Sequence, residues 1–138
     1  MPPRDSVHAA VRLALEKEGW VITADPFVLP VGLHNLYVDL AAERMVAAER
    51  GEDRIAVEIK SFSGRSEVVD LEQALGQFVL YRGVLHRNDP TRQMVLAVPR
   101  AAWDSLFESE LGRTAREETP LAVVVFDPVR AEVWKWFR

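Results

Sequence analysis

Apolar and polar positions along the chain follow two periods, one of about 3.6 residues and one of two, and the elements follow from where each holds. From Asp5 to Glu18 the residues Val7, Ala10, Val11, Ala14 and Leu15 recur at helical spacing, which predicts a first helix capped by Asp5 or Ser6 and stopped by Gly19. Trp20–Thr23 is strand-like and ends at Asp25-Pro26, because proline removes a ladder donor. A loop with Pro30 and Gly32 then leads to a second strand, Leu36–Leu40. The stretch Ala41–Arg50 is rich in helix formers, yet Gly51-Glu52-Asp53 stands directly before a definite strand, so the expectation is a hairpin strand over Arg44–Arg50 returning into Arg54–Lys60.

Ser66 can cap a long helix reaching Leu85, with Glu67 and Asp70 at its positive end and Val68, Leu71, Leu75, Phe78 and Leu85 in a stripe. Met94–Val98 reads as a buried strand closed by Pro99. Ala101–Leu111 follows as a third helix with Trp103, Leu106 and Phe107 inward, and the strands Leu121–Phe126 and Ala131–Phe137 close around Asp127-Pro128. Adjacent strands imply antiparallel pairing and a strand–long helix–strand unit implies a parallel crossover. The expected fold is α/β: a mixed central sheet flanked by helices, in one domain over residues 1–138, with a C-terminal hairpin.

Composition changes this picture little. The 138 residues are 49% hydrophobic and 28% charged, the balance of a folded globular chain long enough for a real core. The absence of Cys excludes disulfides and thiolate metal sites, and no apolar run approaches the ~18 residues of a membrane span, so no membrane partner and a cytoplasmic location are expected. A net charge of -4 speaks against a generally basic coat, although Arg82, Arg87, Arg92 and Arg100 form a local basic run interrupted only by Asp89. A solvated surface is the ordinary explanation of such a run, and phosphate contact the functional one.

The candidate chemistry lies in Ile55-Ala56-Val57-Glu58-Ile59-Lys60. Side chains of a strand alternate, so Ala56, Glu58 and Lys60 share the face opposite Ile55, Val57 and Ile59. An acidic-x-Lys triplet arises by chance about as often as not in a chain with 21 acidic residues, and an exposed ion pair of this kind contributes only about 0 to 1 kcal/mol. Adding Asp39 from the preceding strand gives a pair of carboxylates able to hold a hard divalent cation, with Lys60 beside them to steady hydroxide or phosphate charge. A hairpin turning at Gly51–Asp53 would, however, set Glu58 opposite Val46 and Lys60 opposite Arg44, leaving Asp39 beyond unless a bulge or a separate strand returns it, so Glu43 is the reserve ligand. His8 lies two helical turns from Glu16 and is either an orienting group at the same cleft or an ordinary helical histidine; His34 and His86 have no partner at ligand spacing. Trp134 and Trp136 are expected on one strand face, as core or as an interface.

The segments YVDLAAE (Tyr37–Glu43), IAVEIKSF (Ile55–Phe62) and ALGQFVLYR (Ala74–Arg82), with the Asp5-x-x-His8 helix, GWVIT-x-DP from Gly19 and VFDP from Val125, resemble the XisH family over nearly the full length. These are the fdxN-element excision controlling factors of cyanobacteria and related bacteria. The resemblance implies a PD-(D/E)XK nuclease-like, restriction-endonuclease-like core. It implies Asp39 and Glu58 as ligands of Mg2+ (or Mn2+), Lys60 as the motif lysine, and Gln77 and Tyr81 as the Gln-x-x-x-Tyr element of the following helix. A Mg2+-dependent DNA endonuclease or nickase acting in DNA rearrangement is the function so implied. The alternative is a non-catalytic factor that binds DNA or a site-specific recombinase alongside an XisI-type companion. A homodimer would suit two-stranded DNA by analogy.

Overall fold

A computed structural model of the protein describes residues 4–45 and 51–138. In chain order the elements are α1 (Arg4–Lys17), β1 (Val21–Ala24), β2 (Phe27–Val31), β3 (His34–Val38), β4 (Leu40–Met45), β5 (Glu52–Ile59), α2 (Glu67–Asn88), β6 (Arg92–Pro99), α3 (Arg100–Ala102), a π-helical turn (Trp103–Phe107), α4 (Glu110–Glu118), β7 (Val123–Asp127) and β8 (Glu132–Phe137).

Six strands form one sheet in the order β1-β4-β5-β6-β7-β8, and β2 with β3 makes a separate hairpin. The pairs β1–β4, β4–β5 and β7–β8 are antiparallel, while β5–β6 and β6–β7, each joined through helix, are parallel. This is the mixed α/β fold expected from the sequence. The period of two sorts the sheet's side chains into two cores. Ile55, Val57, Val95, Ala97 and Val124 face α1 through Val7, Val11 and Leu15. Ala56, Met94, Leu96, Val98, Val123 and Val125 face α2, the π-helical turn and the β2–β3 hairpin through Leu71, Ala74, Phe78, Trp103, Phe107, Leu29 and Val38.

Several boundaries differ from expectation for physical reasons. α1 already runs at Arg4, so Asp5 and Ser6 lie inside its first turn and do not cap it. The expected loop around Pro30 is the hairpin β2–β3, in which Gly32, at φ 58, makes the turn and Pro30 pairs with Asn35. Ser66 caps α2 as expected, its hydroxyl accepting from the Val69 N–H. The third helix does not run through Leu111: Ser109 caps a new helix, α4, by accepting from the Gly112 N–H. A Cβ at Gly112 would stand 2.1 Å from the Leu106 carbonyl oxygen, so only glycine permits that crossing.

The register of β4 and β5 corrects the largest error. Leu40 pairs with Val57, Glu43 with Arg54 and Met45 with Glu52, so the reversal lies between Met45 and Glu52 and not at Gly51–Asp53. Of the expected strand Arg44–Arg50, Arg44 and Met45 end β4, and residues 46–50 lie outside those described. Glu58 and Lys60 therefore do not face Val46 and Arg44. The expected strand Leu36–Leu40 divides at Asp39, the last residue before β4, which falls beside Glu58 without any bulge.

Candidate functional site

The site lies where β5 ends, at the junction of β3 and β4, between α1 and α2. Alternation along β5 turns Glu58 toward α2, as it does Ala56, while the Lys60 N–H continues the parallel ladder by donating to the Ala97 carbonyl at 3.0 Å. That bond holds Lys60 beside Glu58, with Nζ at 3.7 Å from Glu58 Oε2.

Asp39 and Glu58 are both buried, at 7% and 8% exposure. Each strand end supplies a backbone donor to the other's carboxylate: the Asp39 N–H donates to Glu58 Oε1 at 3.3 Å, and the Ile59 N–H donates to Asp39 Oδ2 at 2.8 Å. From α2, Gln77 Nε2 donates to Glu58 Oε2 at 2.7 Å. Burial pushes the Glu58 carboxyl up to about 7, and the negative charge and hydrogen-bonding contact of Asp39 push in the same direction against the opposing pull of Lys60 and the Asp39 N–H. A like-charged buried pair of this sort needs a compensating cation, which a proton supplies when nothing else does.

α1 closes another side. His8 Nε2 lies 2.8 Å from Asp25 Oδ1, its Nδ1 lies 3.9 Å from Asp39 Oδ1, and Arg12 donates to Asp25 Oδ2 at 2.7 Å. Asp25 was not singled out from the sequence, although it stands in the GWVIT-x-DP stretch. Nothing in the local pattern indicates that β1 delivers it to a histidine 17 residues upstream. His8 thus faces Asp25 and Asp39, and Arg12, not His8, is the α1 residue near Glu16, at 3.9 Å.

The structure brings Asp39, Glu58, Lys60 and Gln77 together. Tyr81, one turn beyond Gln77, is partly buried against the α2-side core, and no hydrogen bond joins it to Glu58 or Lys60. Glu43 is not at the site. It lies across from Arg54 on β5, bonded to Arg92 at 2.9 Å and Arg54 at 3.2 Å, and the Arg92 bond foremost holds its carboxyl below the ordinary range. The basic run of the sequence is dispersed over separate contacts: Arg92 is buried against Glu43 and Asp89, Arg100 lies over Trp134, and Arg82 over Phe78. Trp134 and Trp136 do not share a face, because the register slips within β7–β8: Phe126 pairs with Val133 but Val125 with Lys135. Trp136 then packs on the α1 side with Trp20, while Trp134 neighbours Phe137 on the other side.

The donor set suits a hard cation. Two carboxylates contribute oxygen only, the ordinary preference of Mg2+ or Mn2+, which keeps several waters. Among the described residues no group of three or more His, Asp or Glu side chains is arranged to hold a metal ion, so water or substrate would have to complete the coordination.

A model of the XisH protein family matches residues 1–134 of the chain. An XisH family protein from Nostoc punctiforme PCC 73102, solved as a crystal structure, is 37% identical, with a TM-score of 0.88 over 97% of this chain and 100% of that one. A fdxN element excision controlling factor protein from Anabaena variabilis is likewise 37% identical, with a TM-score of 0.88 over 98% of this chain and 100% of its own. Among curated proteins none matches the chain.

Proposed function

The chain belongs to the XisH family, and from that premise we propose that it is an excision controlling factor whose PD-(D/E)XK nuclease-like site nicks or cleaves DNA with Mg2+. The observation carrying this reading is the convergence of Asp39, Glu58 and Lys60: two buried carboxylates from adjoining strand ends with an ammonium group 3.7 Å from one of them. Asp39 and Glu58 would hold the cation, which when bound polarises the phosphodiester and lowers the pKa of its water. The chain's own groups do the rest. The Asp39 and Ile59 amides fix the two carboxylates, Gln77 holds the Glu58 oxygen nearest Lys60, and Lys60, about a third exposed, is placed to meet negative charge on an entering phosphate. Tyr81 would contact the substrate strand beyond Gln77.

A second reading has its own support. The same cluster, with part-exposed Lys60 able to meet a backbone phosphate, also suits a factor that binds DNA or a recombinase, alongside an XisI-type companion, without cutting.

Nicking of supercoiled plasmid in Mg2+ separates the two. The native chain is expected to nick, Asp39→Ala to be inactive, and Lys60→Ala to lose about 2 to 3 orders of magnitude, the usual loss on removing one charge-stabilising donor. Nicking that survives both substitutions refutes the catalytic assignment. A native chain that shifts DNA but never nicks it establishes the second reading.

A further inference from the structure

The outward face of α2 carries features that folding of a single chain does not account for. Val79 and Leu80 stand near the middle of the helix at 46% and 58% exposure. Gly76 and Gly83, a heptad apart, flank them on the same face. Glycine weakens a helix interior relative to alanine, and here a Cβ at either position would meet nothing within 4 Å, so no neighbour inside the chain requires its absence. The charges on the helix are also divided. Glu67, Asp70 and Glu72 lie in its first third, with Glu118 of α4 lining the same groove as Glu72, while Arg82, His86 and Arg87 lie in its last third. Glu72 and Arg87 are exposed and have no ion pair within the described chain.

We propose that this face docks a second copy of the chain, α2 against α2 and antiparallel, about a two-fold axis between Val79 and Leu80. In that register Gly76 meets Gly83 of the other copy, which lets the two backbones approach closely, and Val79 meets Leu80. Glu72 meets Arg87 and Gln73 meets His86, so the acidic third of each helix lies along the basic third of the other. A parallel arrangement would set like charge on like. The two-fold operation makes the contact isologous and closed. The docking surface lies on the solvent side of α2, opposite the buried residues Leu71, Ala74, Phe78 and Leu85, and it does not depend on the site being catalytic.

The register is what the experiment tests. Sedimentation equilibrium of the full chain is expected to give a dimer. Glu72→Arg and Arg87→Glu should each weaken it about tenfold or more, and the double variant should recover most of the loss because it rebuilds both pairs in the opposite sense. The chain has no cysteine, so engineered thiols report without background. Leu80→Cys should form a disulfide-linked dimer on mild oxidation. Glu72→Cys alone should not, but should cross-link when mixed with Arg87→Cys. A chain monomeric at all accessible concentrations, or a dimer indifferent to both charge reversals, overturns the proposal, and so does efficient self-linking by Glu72→Cys. All these positions are exposed, and a thermal melt confirms that each variant is folded.

Discussion

Glu58→Gln is expected to stabilise the metal-free protein at alkaline pH, although it removes a buried side chain's hydrogen-bonding symmetry. The folded carboxyl titrates at about 7 against an ordinary value of 4.5, because burial and the neighbouring Asp39 charge disfavour its ionised form. An acid whose pKa is raised by folding binds its proton more tightly in the folded state. Its contribution is therefore full below pH 4.5, is lost as pH climbs from there to about 7, and stays lost above. At 1.36 kcal/mol per unit, a gap of about 2.5 sets a ceiling of about 3 kcal/mol. Glutamine is neutral at every pH and keeps one oxygen to accept from the Asp39 N–H, while its amide nitrogen takes the place of the Oε2 that accepted from Gln77, so Gln77 must turn its own amide oxygen toward it. The attraction to Lys60 is already contained in the value of about 7, and turning Gln77 offsets part of the gain, so the net gain at pH 8.5 is about 1 to 3 kcal/mol. Urea unfolding of both proteins in EDTA from pH 5 to 8.5 measures it, since other titrating groups cancel in the difference. A difference that does not change across that window, or a variant less stable at pH 8.5, refutes the account of the carboxylate pair. Adding Mg2+ at pH 8.5 should then stabilise the native protein and leave the variant unchanged.

The far end of the same strands gives two contrasting expectations. Arg92→Ala removes a guanidinium with 5% side-chain exposure that donates to Glu43, to Asp89 and to the Ile55 carbonyl, and leaves both acids to Arg54 alone, so a loss of about 2 to 3 kcal/mol is expected in urea unfolding at pH 7; a loss below about 1 kcal/mol contradicts the role assigned to it. Arg138→Ala removes both 2.7 Å bonds to Asp53, whose carboxyl Arg138 foremost holds below the ordinary 3.8. Because that pKa is depressed by folding, the pair's contribution, about 1 kcal/mol in this part-exposed setting, is present above pH 3.8 and fades as pH falls through the folded value, so native and variant stabilities should converge in acid.

What the sequence disclosed follows from which interactions are local. The cap at Ser66 and the stripe of α2 act within a few residues, and both are present as expected. The placing of Glu58 and Lys60 on one face follows from strand alternation alone. Ala41 and Ala42 belong to a stretch whose preference is helical, and only tertiary burial, at 1% and 0% exposure between β1 and β5, makes it a strand. Gly51, at φ 71, has the conformation of a turn residue but lies just before β5 and not at the centre of the reversal, so composition indicated the wrong register. Partners far apart in the chain leave no local trace. Arg92 is 49 residues from Glu43, and Asp25 meets His8 only because α1 and β1 fold together.

The antiparallel strands β4 and β5 carry acidic residues at both ends of their pairing, and the two ends are built differently. At one end Glu43 and Asp53 have guanidinium partners, as does Asp89 beside them, and all three carboxyls are held below their ordinary range, Asp89 against the opposing effect of burial. At the other end Asp39 and Glu58 are more deeply buried, Lys60 Nζ stands 3.7 Å from Glu58, and the Glu58 carboxyl moves the opposite way, to about 7. A Glu58 serving only to tie the sheet together would be held ionised by a guanidinium as the first cluster is, at little expense in a chain with fourteen arginines. A carboxyl that burial holds protonated at one end alone costs folding stability above its titration range and leaves a proton for an entering cation to displace. That asymmetry within one strand pair supports a binding role for Glu58 more directly than its spacing from Asp39 in the sequence does.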